Sequence, residues 1–176
     1  MICLIKMKKT INTQTYHSPC GDLLLGSFEG RLCLCDWMAE EHRLLEDRRL
    51  ERSLNAVMTD IPSEITAKAA KELDEYFAGG RKTFDLPLLF VGTEFQEKVW
   101  NTLLEVPYGE TRSYGWMAKH IGNPKAVRAV GTANGSNSIS IFAPCHRIIG
   151  SNGSLTGYGG GLPAKKFLLE LEGVKL

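Results

Sequence analysis

Between residues 92 and 173 no apolar-periodic stretch outlasts about three helical turns before a glycine, proline or asparagine interrupts it. That half of the chain can therefore build only short helices joined by tight turns. Thr93 followed by Gln96 is a capping-box pattern, and it opens a helix whose apolar face is Phe95, Val99, Trp100, Leu103 and Leu104. Pro107-Tyr108-Gly109 ends it. Ser113 caps a second helix running to about His120, closed by Gly122. Asn123-Pro124 predicts a third over 124–133, with proline at its first position. Residues 134–137 then read as a turn, 138–142 as a short strand, and 150–154 as a hairpin-type turn. Pro163 starts a last helix through about Glu172, with Phe167, Leu168 and Leu171 inward. Two short helices across a Gly-Asn-Pro turn have the outline of a helix-turn-helix.

The first half reads differently. Turn signals at 17–21 and 29–31 separate apolar runs of strand length, 23–28 and 32–37, which predicts a small antiparallel system. Cys33 and Cys35, two apart on one strand, would share a face and are read as core thiols. The charge-dense stretch 39–52 is an exposed helix or a surface excursion. Residues 64–78 form a clear helix, with Ile65, Ala69, Leu73 and Phe77 in one stripe directed at the sheet and Gly79-Gly80 as its stop. A connector at 81–91 leads on. The reading is an α+β chain of two domains, 1–90 and 91–176.

Charge separates the halves. Residues 91–176 carry 9 basic and 6 acidic side chains, against 12 and 14 before them. The 59 residues from Thr111 to Leu169 contain seven Lys or Arg and no Asp or Glu, an electrostatic footprint suited to a polyanion. Five cysteines without a disulfide-module spacing point to a reducing compartment. With neither a secretory leader nor a membrane-length apolar run, the expected location is cytoplasmic with no membrane partner.

Chemistry concentrates in Ala143 to Gly150, APCHRIIG. Pro144 stiffens the backbone just before Cys145, while His146 and Arg147 set two basic groups near the sulfur, surroundings that favour thiolate. If His146 takes the thiol proton, a carboxylate must orient the ring, and the only acids after Glu110 are Glu170 and Glu172. Glu172 ends its helix where the dipole disfavours a carboxylate, which marks it out. A Glu–His–Cys relay is one reading. A Cys–His hydrolase, a helix-turn-helix regulator without chemistry and an inert buried thiol stay open. Metal binding fits poorly, since no C-x-x-C is present.

With VGTANGSN at 130–137, PCHRIIG at 144–150 and YGGGL at 158–162, residues 92–173 closely resemble the O6-alkylguanine-DNA alkyltransferases, also called methylated-DNA–protein-cysteine methyltransferases. Residues 1–90 match only in length and in element order. The resemblance implies a ribonuclease H-like α/β domain followed by a winged-helix domain with the helix-turn-helix. It also implies irreversible single-turnover transfer of an alkyl group from a flipped O6-alkylguanine in double-stranded DNA to Cys145, with O4-alkylthymine as a second substrate, a monomer, and no cofactor. His146 would act as water-mediated base and Glu172 as its orienting carboxylate. Tyr114 would assist flipping and donate a proton toward guanine N3, and Arg128 would enter the duplex in place of the base. Ser113, Lys125, Ala126, Ala129, Arg147 and Ser151 would contact DNA. Ile148, Tyr158, Gly159 and Gly160 would line the base pocket, with the carbonyls of Cys145 and Ile148 accepting from the guanine amine. Asn137, Pro144 and Lys165 would be structural, Asn137 bracing the turn before the active-site strand. Many relatives carry serine where this chain has Gly159, which keeps the amide donor to O6, loses a hydroxyl, and leaves room for alkyl groups larger than methyl. Some relatives hold zinc in the first domain. Cys3, Cys20, Cys33, Cys35 and His17 do not complete a ligand set here, so no metal is expected.

Overall fold

A computed structural model describes residues 8–39 and 43–176; Cys3 lies outside the described residues. Three strands, β1 (Lys9–Ser18), β2 (Gly21–Phe28) and β3 (Arg31–Trp37), form an antiparallel meander. The charged stretch then forms helix α1 (Arg43–Leu54), which returns the chain to β4 (Ala56–Thr59), parallel to β1. The sheet order is β3-β2-β1-β4. Helix α2 (Glu64–Phe77) begins at a capping box between Ser63 and Thr66 and buries Ala69, Leu73 and Tyr76 against the sheet.

Cys33 and Cys35 do not share a face. The β2–β3 register shifts beside Gly26, and the extra residue reverses the alternation, sending Cys33 and Leu34 to one cluster and Leu32 and Cys35 to the other.

The connector covers the outer edge of β3: Leu32 N–H donates to Pro87 O (2.9 Å) and Leu89 N–H to Leu32 O (2.8 Å). Farther along the same edge, Cys35 N–H donates to Ser138 O (2.8 Å) and Ser140 N–H to Cys35 O (2.7 Å). One edge strand thus anchors both the connector and the segment leading to Cys145.

In the second half, α3 (Glu94–Leu103) starts at the Thr93–Gln96 capping box and α4 (Tyr114–His120) at Ser113. Helix α5 (Val127–Gly135) starts three residues later than predicted and runs two residues into the expected turn. Asn123 and Pro124 instead make a tight turn, in which Ala126 N–H donates to Asn123 O (2.9 Å). Helix α6 (Gly161–Leu171) buries Leu168 and Leu169 and leaves Phe167 exposed, a quarter-turn shift of the predicted stripe. Strands β5 (Arg112–Ser113) and β6 (Ile148–Ile149) pair in parallel.

Residues 138–142 are not a strand. One bridge, Ile139 to Cys35, is followed by a turn in which buried Ile141 takes φ 72°. That conformation is costly for a β-branched residue, and its surroundings must hold it.

Candidate active site

The turn after Ile141 delivers Pro144 into a single 3-10 turn, Cys145–Arg147. In that turn the Cys145, His146 and Arg147 side chains are all buried, unlike the alternating arrangement of a strand. Asn137 braces the approach: its amide donates to Ala143 O (2.9 Å) and its side-chain oxygen accepts from Ile139 N–H (3.0 Å). Asn134, missed in the sequence, donates to Cys145 O (3.4 Å).

Glu172 caps α6 and is buried. Its Oε1 accepts from His146 Nε2 (2.7 Å), the Tyr76 hydroxyl (2.7 Å) and Arg147 Nη2 (3.0 Å). Its Oε2 accepts from Arg147 Nε (2.8 Å) and Gly109 N–H (3.2 Å). Gly109 sits at φ 76°, and a Cβ there would lie 2.8 Å from Glu172 O, so only glycine permits this approach. Burial alone would raise the Glu172 pKa, but its bonds to His146 and Arg147 hold it well below the usual carboxylate range. An ionised carboxylate only accepts, so His146 Nε2 carries the proton and Nδ1 is the free acceptor. Nδ1 is buried with no protein partner among the described residues. Burial lowers the His146 pKa against the pull of Glu172, which keeps the ring neutral and ready to take a proton.

Arg147 does not reach DNA. It is buried, with Nη1 donating to Val106 O (2.6 Å) and the rest of its guanidinium spent on Glu172. The cation that favours thiolate at Cys145 is Lys165 instead. Lys165 is fully buried, its ammonium donating to Ile148 O (2.6 Å) and Thr156 O (2.8 Å), and burial lowers its pKa to about 8. Burial raises the Cys145 thiol, opposed by the Asn137 side chain, the Lys165 charge and Ser140. The resting sulfur is therefore a thiol that needs a base. The Ile148 carbonyl accepts from the Lys165 ammonium, while the Cys145 carbonyl accepts from both the Asn134 amide and the Ile148 N–H.

An open pocket of about 640 Å³ lies outside the sulfur, lined by Tyr114, Val127, Arg128, Gly131, Thr132, Gly135 and Thr156 to Gly159. Tyr114 donates to Thr156 O (3.2 Å). Gly135, Gly157, Tyr158 and Gly159 also line a cavity of about 10 Å³ at Cys145, completed by Asp36, Asn134, Asn137 and Ser140. The loop 157–159 thus stands between the pocket and the sulfur.

Arg128, Lys125 and Ala129 are exposed on and just before α5, and Ser151 on the hairpin turn; Ala126 and Ser113 are half-buried. Among the described residues the Arg128 side chain has no partner. Of the seven basic residues in the acid-free stretch, Arg147 and Lys165 are internal, which confines the positive surface to Arg112, Lys119, Lys125, Arg128 and Lys166. No cluster of three or more metal-ligating side chains occurs among the described residues.

Two family models match: 6-O-methylguanine DNA methyltransferase, ribonuclease-like domain, over residues 11–90, and the DNA binding domain of the same protein over 94–174. The methylated-DNA–protein-cysteine methyltransferase of Methanosarcina acetivorans is 48% identical over 159 residues, covering 90% of this chain and 96% of its own. The constitutive enzyme of Bacillus subtilis is 44% identical over 164 residues, covering 90% and 93%. Among solved structures, the Mycobacterium tuberculosis O6-methylguanine methyltransferase superposes with TM-score 0.77 at 43% identity, covering 92% of each chain. Its complex with DNA gives 0.77 at 42% identity, covering 93% of this chain and 92% of its own.

Proposed function

This chain belongs to the O6-alkylguanine-DNA alkyltransferase family, and from that premise we propose how its residues carry out the repair reaction. The protein is a single-use DNA methyltransferase that binds DNA and moves the alkyl group of O6-alkylguanine onto its own cysteine. Cys145 is the acceptor. Helix α5 lies along the DNA, Arg128 occupies the space of the flipped base, and Tyr114 with the Gly159 amide meets the purine in the open pocket.

The His146 Nδ1 lone pair draws the proton from Cys145 through a bridging solvent molecule. Glu172, fixed by four protein partners, balances the imidazolium that results. The thiolate attacks the alkyl carbon in line, the S–C bond forms as the C–O6 bond breaks, and the electron pair stays on the purine. Donors at the base neutralise the charge growing there. The product thioether has no hydrolytic route back, so one molecule repairs one base. Lys165 supports the thiolate electrostatically during the step.

The observation that carries this reading is the buried Cys145–His146–Glu172 series behind a pocket open to the α5 surface. O4-alkylthymine, with the same alkyl–oxygen bond on a smaller ring, is a second substrate. The site is complete within one chain, which supports action as a monomer, and an acceptor thiol that must stay reduced supports a cytoplasmic location. The test is stoichiometry. With O6-methylguanine duplex in excess, repaired bases should plateau at one per protein molecule; continued turnover would return the reading to a Cys–His hydrolase.

A further inference from the structure

The loop that closes the alkyl cavity is held by the other domain. Trp37, at the end of β3, is 3% exposed and seated on Gly21, where an added Cβ would come within 3.3 Å of its ring. The same indole meets the loop. A Cβ built on Gly160 would lie 2.5 Å from Trp37 Cε2, 2.7 Å from Cδ2 and 2.9 Å from Nε1. Gly160 sits at φ −78° and ψ 0°, a conformation open to any residue, so the indole, not the backbone, demands glycine there. Two residues earlier, Tyr158 packs edge-on against Trp37, with centroids 5.9 Å apart and planes at 69°. The same ring meets His146 edge-on at 6.5 Å. Trp37 Nε1 and the Tyr158 hydroxyl are both buried and lie close enough that the indole eases the rise which burial gives the Tyr158 pKa.

The cavity at Cys145 is bordered by Gly157, Tyr158, Gly159 and by Asp36, the neighbour of Trp37. Its 10 Å³ admits about one water-sized sphere, so an incoming alkyl group must displace the loop. We propose that Trp37 is the positioning residue that limits this displacement, and that it thereby sets the size of alkyl group Cys145 accepts. The first domain supplies no reacting atom, and this is its contribution to specificity. The inference rests on the alkyl-transfer reading above.

The test uses the full chain with duplex oligonucleotides carrying O6-methylguanine or O6-butylguanine, reading single-turnover rates and intact mass. Trp37→Ala should raise the butyl-to-methyl rate ratio about tenfold, the range over which pocket shape discriminates alkyl groups. Gly160→Ala should slow methyl transfer about tenfold or more by pushing the loop off its seat. The Trp37→Ala/Gly160→Ala double variant should regain the rate of Trp37→Ala alone, a rescue that general destabilisation cannot produce. If Trp37→Ala does not fold, Trp37→Phe is read in its place, with a smaller rise of the same sign. An unchanged ratio, a fully active Gly160→Ala, or additive losses in the double variant would overturn the role of Trp37. Failure of the parent protein to take up either alkyl group would overturn the premise instead.

Discussion

Replacing Glu172 by Gln keeps the shape of the side chain and removes its charge, and the consequences divide between stability and chemistry. Arg147 stays behind as a buried cation without a counter-charge, its neighbours reduced to neutral groups such as Val106 O and the Tyr108 ring. Breaking one partner of a buried pair costs about 3–5 kcal/mol, because the remaining charge has no water to return to. For a chain of this length each kcal/mol lowers the melting temperature by about 2–4 °C, so Glu172→Gln should melt about 6–20 °C below the parent. At a temperature where the variant is folded, transfer should still be slower by about a hundredfold, the scale of a general base that has lost its orientation. The double variant Glu172→Gln/Arg147→Met separates the two effects, since it leaves no buried charge without its counter-charge. Differential scanning calorimetry should show most of the lost stability restored, while single-turnover assays show transfer still slow. If stability fell further in the double variant, the orphaned charge would not be the cause. If transfer recovered with stability, Glu172 would have no role beyond holding the fold.

Arg128→Ala should slow repair of O6-methylguanine in duplex DNA about tenfold or more and leave reaction with the free base analogue little changed, because only the duplex requires flipping; equal losses in both assays would remove the finger role. The folded-state pKa of His146 lies below its ordinary 6.5 and that of Glu172 below 4.5, so both stabilise the fold fully above those values and progressively less as pH falls beneath them. Urea titrations should therefore show stability declining below pH 6.5, and Glu172→Gln should lose the part of that decline that sets in below pH 4.5; a parent protein equally stable from pH 7 to pH 4 would contradict the assignment. The acid limb of the transfer rate should have its midpoint below 6.5, and a midpoint above that value would mean His146 is not the base. The Lys165 pKa, lowered to about 8 from 10.5, makes its charged form costly in the fold, so its contribution to stability should rise between those values; Lys165→Met should abolish that alkaline rise and slow transfer by withdrawing the cation from Cys145.

Local chemistry made much of this legible. The Thr93–Gln96 box and the Ser113 cap place α3 and α4 as the sequence predicts, since each cap satisfies backbone donors with a side chain a few residues away. The misfit of a carboxylate at the end of α6 pointed correctly to a buried partner for Glu172. What escaped depends on tertiary placement. Arg147 looks like a surface cation because its sequence neighbours say nothing of Glu172, 25 residues on, and Tyr76 and Gly109 reach the same carboxylate from separate elements. Asn123-Pro124 carries a helix-start signature, yet the chain spends it on a turn and begins α5 at Val127. The β2–β3 shift that parts Cys33 from Cys35 leaves no periodic trace, because a bulge breaks the alternation used to find strands. Trp37 reads as one more core aromatic until Gly160 is found against it.

The pocket, the buried base and its carboxylate all serve one bond, between the sulfur of Cys145 and an alkyl carbon taken from DNA. The direct measurement is peptide mass mapping of the full chain after incubation with O6-methylguanine duplex. A single gain of one CH2 is expected, carried by the peptide containing Cys145 and absent from Cys145→Ala. A parent protein of unchanged mass, or a methyl group found on Cys20, Cys33 or Cys35, would contradict it.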